Sequence, residues 1–92
     1  MKATRAFLVS VVVGRVVYQD SAEELSLLVK SDGLEPIGLL EAKRDKPDPA
    51  FFIGSGKVDE LADLAHELSA DVIVFDVPLS AAQQRNIERA IN

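Results

Sequence analysis

The residues best suited to chemistry lie in one short stretch, Gly54-Ser55-Gly56-Lys57, where a turn feeds a helix. The first amide N–H groups of a helix have no internal partner and the macrodipole is positive there, so this mouth could receive a phosphate or a carboxylate. Asp76, at the carboxyl end of a strand, stands at the edge where open α/β sheets place their ligands. A phosphate-binding loop of the Walker type needs Gly-x-x-x-x-Gly-Lys-Ser/Thr, whose arc wraps the phosphates and whose hydroxyl holds magnesium. Here Phe51 occupies the first glycine position and Val58 the hydroxyl position. The stretch therefore reads as a tight turn with a helix cap. Anion or nucleotide binding in another geometry, at Gly54, Ser55, Gly56, Lys57 and Asp76, stays open.

A second constellation is cationic. Lys43, Arg44, Lys46 and Lys57, with Arg85 and Arg89 on the last helix, would offer separated charges to the phosphates of folded RNA if the loop and the helix mouth lie together. The alternative is a solvated charged loop, and the residue types alone leave the two level. Asp76 has a plainer reading too, as an acceptor of backbone hydrogen bonds in the following turn. His66 has no cysteine or second histidine for a dyad or metal site and reads as a half-exposed surface residue. Ser10, Ser21, Ser55 and Ser80 lack the setting of a nucleophile elbow. The pairs Glu23/Glu24 and Asp59/Glu60 fall in first helical turns, where the dipole accounts for them. No catalytic residue emerges.

The elements that must position these groups come from a chain of 92 residues, 48% hydrophobic and without cysteine. That is one small domain spanning 1–92, with a core, no disulfide scaffold and no zinc-thiolate site, as suits a reducing cytoplasm. No signal peptide or membrane span is recognisable, and a net charge of −5 argues against a general basic coat for nucleic acid.

The run Ala6 to Val13 predicts a strand covered on both faces, while Val16, Val17 and Tyr18 could continue it or form a loop. Ser21 with Glu24 reads as a capping box for a helix whose stripe is Leu25, Leu28 and Val29, ended by Gly33. A second strand is expected from Pro36 to about Ala42, and Phe51 to Ile53 is a candidate third, of undetermined direction. The helix from about Gly56 to Ser69 carries Val58, Leu61, Leu64, Ala65 and Leu68 on one face. Asp71 to Asp76 predicts a central strand, and a last helix follows, capped by Ser80 with Gln83 and turning Ile87, Ala90 and Ile91 inward. The sum is an α/β fold: a small, mostly parallel sheet of about four strands with helices on both faces. The chain stops at Asn92 as if cut before a closing strand, leaving a sheet edge with which a second truncated copy could pair.

The segments Arg44 to Leu61, Asp71 to Asp76 and Leu79 to Glu88 resemble the amino-terminal domain of HflX-type GTPases. The family pattern Pro-x-Pro, aromatic-Ile/Val-Gly-x-Gly-Lys, Phe-Asp and Leu-Ser-Pro-Ala-Gln-x-Arg-Asn-Leu-Glu is met almost throughout; one departure is Ala81, where the family has a proline suited to the first helical position. Met1 to Glu41 matches in layout only. The resemblance implies a positioning domain that binds rRNA of the large ribosomal subunit, with Lys43, Arg44, Lys46, Lys57 and Arg85 as contacts, in a protein that splits stalled ribosomes. It places GTP, magnesium and hydrolysis in a GTPase domain further along, so that this stretch would hold no cofactor and catalyse nothing itself. ATP binding at the helix mouth, or regulatory docking on the GTPase domain, are the alternatives it leaves.

Overall fold

The computed structural model describes residues 3–14 and 21–91. Strand β1, Thr4–Val13, is the centre of the molecule, with six consecutive buried residues from Ala6 to Val11. Strand alternation divides that run between two cores. Phe7, Val9 and Val11 point into the larger one, while Ala6 and Leu8 point into the smaller. A strand hydrophobic on both sides needs cover on both, and helices supply it.

Helix α1, Ser21–Ser31, covers the smaller core with Leu25 and Val29, and has Glu23 and Glu24 in its first turn and Lys30 in its last. Gly33, at φ +82, turns the chain out of it into β2, Leu34–Arg44, by donating to the Lys30 carbonyl. Leu28, expected on the apolar stripe, is 63% exposed. The small-core side of β1 offers only Ala6 and Leu8, so only a narrow stripe of α1 finds cover.

Strand β2 runs parallel to β1, with a one-residue slip between Ala6 and Phe7 that skips Ile37 and pairs Phe7 with Gly38. A Cβ on Gly38 would stand 2.7 Å from the Phe7 ring and 3.0 Å from Leu68. The absence of a side chain is what lets the ring lie over the strand.

Helix α2, Ser55–Glu67, buries Val58, Leu61 and Ala65, the first two in the larger core, with Leu64 and Leu68 half-buried at its margin. It ends in a Schellman motif: Ser69, at φ +55, donates to the His66 carbonyl and Ala70 to that of Ala65. Strand β3, Val72–Phe75, pairs parallel with β1 on the side away from β2, giving the order β2-β1-β3. Helix α3, Ala81–Ile91, completes the larger core with Ile87, while Ala90 faces outward.

The fold class is the expected one, but the sheet among the described residues has three strands. Phe51 to Ile53 is not a strand: Phe52 bridges only Asp48, in antiparallel sense, and its φ of +67 lies outside the β region. Its large side chains still reach the core, which is why the run looked strand-like. Among the described residues β3 has a partner on one side only. An apolar run reports cover on the faces of a strand and says nothing of what lies beside it. The reading of Val16 to Tyr18 falls outside the described residues.

Candidate functional site

Strand β2 delivers the basic residues to one end of the sheet. Its last carbonyl, on Arg44, accepts from Gly14 N–H at 2.7 Å, fastening the end of β2 to the end of β1. Gly14, Lys43, Arg44, Asp45 and Lys46 then line a concavity of about 470 Å³. Lys43 and Lys46 are exposed and Arg44 half-buried. The Arg44 guanidinium spans the entrance of the next loop. Its Nε donates to the Lys46 carbonyl at 3.3 Å, and its Nη1 lies 3.2 Å from where a Cβ on Gly54 would stand. Arg44 is thereby set against the amino end of α2, and one fixed cation adjoins the positive end of a helix.

The loop between them is closed on itself. Asp48 and Phe52 exchange backbone hydrogen bonds of 2.9 and 2.8 Å, and the Asp48 carboxylate accepts from the N–H groups of Ala50 and Phe51. Pro47 and Pro49 have no N–H to be satisfied, so this pairing meets much of the need of the loop backbone. From α3, Gln83 Nε2 donates to the Asp48 carbonyl at 2.8 Å and Asn86 Nδ2 to the Ala50 carbonyl at 2.9 Å. Gln83 also completes the expected cap: its Oε1 accepts from Ser80 N–H, and its own N–H donates to the Ser80 hydroxyl. Its spacing from Ser80 marks Gln83 only as a cap. Two amide side chains three residues apart, beside the inward Ile87, were the signal for a second task.

The helix mouth itself is open. Ser55 and Gly56 are exposed and Gly54 is the extended N-cap residue. Lys57 turns along the helix to Glu60, 3.2 Å away, in a half-exposed pair of small energetic weight. Val58, at the position of the Walker hydroxyl, is 3% exposed and faces the core. With Phe51 in place of the first glycine, these residues do not fit a GTP–magnesium complex. No cluster of three or more His, Cys, Asp or Glu suited to a metal occurs among the described residues.

Asp76 serves the sheet. Strand β1 outruns β3, and past the last β3 residue the Asp76 carboxylate takes the place of the missing backbone acceptor. It receives Val11 N–H at 2.9 Å and the Ser10 hydroxyl at 2.7 Å, while Asp76 N–H continues the ladder to Val9. Its partners are thus on the neighbouring strand and not in the following turn. Arg85 is exposed on α3. His66 is exposed and bonds through Nε2 to the Ile91 carbonyl, joining the last turns of α2 and α3.

Fold and site together define a parallel α/β domain, clad in helices on both faces, that presents cations around a stapled loop at one end. A family model described as "GTP-binding GTPase N-terminal" matches residues 19–92, and the chain belongs to that family as an amino-terminal domain of HflX type. It is 39% identical to the GTPase HflX of Escherichia coli over 70 residues, covering 76% of this chain and 16% of the relative. With the GTPase HflX of Flavobacterium psychrophilum it shares 33% identity, covering 99% of this chain and 24% of the relative. For that of Spirochaeta thermophila the identity is 36%, with 98% and 22% covered. The chain thus spans about a sixth to a quarter of the length of these curated relatives. The match beginning at residue 19 carries the likeness through α1 and β2, beyond the segments whose motifs were legible.

Proposed function

We propose that this domain is the ribosome-binding and positioning module of an HflX-like GTPase, which acts in the cytoplasm on the large ribosomal subunit and splits stalled ribosomes. GTP and magnesium belong to a separate GTPase domain of the whole protein. The observation that carries this reading is the gathering of Lys43, Arg44 and Lys46 around one concavity on a chain of net charge −5. Cations at one end of a molecule attract a phosphate backbone to that end, while the acidic remainder of the surface repels it elsewhere. Lys57 and Arg85 are proposed as flanking contacts.

No helix among the described residues is long and apolar enough to cross a membrane. The alternatives, ATP at the Gly54 to Lys57 mouth or docking on the protein's own GTPase domain, make different demands on the same residues. The test is the salt dependence of binding to purified large subunits. Lys46→Ala should lower the slope of log K against log[salt] by about one unit. An unchanged slope removes Lys46 from the contact.

A further inference from the structure

The two amides of α3 hold a strained loop from outside it. Phe52 keeps φ at +67, a conformation that costs a bulky residue energy and persists only where its surroundings over-determine it. The surroundings here are the Asp48–Phe52 bridge, the Asp48 carboxylate, and two donors that arrive from more than thirty positions away in sequence, Gln83 and Asn86. Gln83 is 8% exposed, so its amide is placed where water competes little. Both ends of the clamped loop meet Arg44, through the Lys46 carbonyl at one end and Gly54 at the other. The location of the Arg44 guanidinium and the Lys46 chain is therefore tied to the shape of the loop, which α3 helps to fix.

We infer that Gln83 and Asn86 are positioning residues for the RNA surface: they touch no phosphate themselves, but fix the spacing at which Arg44 and Lys46 meet one. This rests on the rRNA reading above. A released loop would leave the same charges in place on a chain free to adopt many spacings, and ordering it again on binding would lower the affinity.

The chemistry of the two side chains makes the claim separable from simple destabilisation. Gln83→Glu keeps the oxygen that accepts from Ser80 N–H, a role glutamate fills well, but exchanges the donor facing the Asp48 carbonyl for an acceptor. Asn86→Asp does the same at Ala50, and is the milder change because Asn86 has no cap to preserve. The experiment measures, for the wild-type chain and both variants, amide hydrogen exchange at Ala50, Phe51 and Phe52 and affinity for purified large ribosomal subunits. It then repeats both substitutions in an Arg44→Ala/Lys46→Ala background.

The expected result is faster exchange at Phe52, whose N–H is bonded within the clamped loop, with core amides of β1 still protected, and a roughly tenfold loss of affinity that vanishes in the background lacking the two cations. Unchanged exchange in the loop, unchanged affinity, or a loss that persists in full without Arg44 and Lys46 would each overturn the inference while leaving the rRNA reading intact. Failure of the wild-type chain to bind large subunits would overturn that reading first, and this inference with it. If Gln83→Glu does not fold, Asn86→Asp alone decides by the same measurements.

Discussion

The two faces of the sheet are built to different standards. On the α2/α3 side, Phe7, Val9, Ile53 and Leu61 are almost completely buried, and Phe52, Val58 and Ile87 close around them. The side chains of Gln83 and Asn86 add hydrogen bonds that tie α3 to the loop. On the α1 side, Ala6, Leu8, Leu25 and Val29 form a thin layer, and Leu27, Leu28, Leu39 and Val72 are between 38% and 63% exposed. Order is concentrated on the face whose rim carries the basic loop. A recognition surface of a few cations, as proposed for this loop, needs them at fixed spacing, and a dense core beneath the loop would supply that.

The contrast can be broken by making the same substitution on each side. Leu61→Ala should cost about 4 to 5 kcal/mol, near the top of the range for buried leucines, because its walls come from a strand, a helix and a closed loop that cannot collapse into the void. Leu25→Ala should cost about 2 to 3 kcal/mol, because its layer borders an open groove along Pro36, Gly38 and Leu39. Urea denaturation of both variants measures the gap. Equal losses would mean that the faces are equally rigid.

A smaller effect sharpens the picture at the end of α2. Ser69 holds the left-handed position of the Schellman motif, where glycine carries no steric penalty, so Ser69→Gly should raise stability by about 1 kcal/mol in the same measurement. A loss of stability would show that the serine contributes more than its backbone.

Much of this architecture could be read from residue order. The strand at Ala6 to Val13, the stripe on α2 and the Ser80/Gln83 box are local patterns, and local physics fixes them. What escaped was whatever depends on partners distant in the chain. The Phe51 to Ile53 segment has the composition of a strand, but the positive φ of Phe52 and the bonds to Asp48 are set by the loop and by α3. The place of β3 beside β1 among the described residues is a matter of topology, to which hydrophobicity is blind. At the candidate site, the chemistry of Gly54 to Lys57 was legible, and so was the disqualifying Val58, now seen to face the core. Asp76 was misplaced in detail because its partners lie some sixty-five residues earlier, on β1. The clamp of Gln83 and Asn86 went unseen for the same reason.

The most direct test follows the backbone amide shifts of residues 43–58 in the labelled chain while large-subunit rRNA is added, and separately while ATP and GTP are added. The account predicts that rRNA perturbs Lys43 to Lys57 in a salt-dependent manner, and that neither mononucleotide gives a saturable response at Gly54 to Val58. A saturable response to ATP or GTP there, with no response to rRNA, would contradict it.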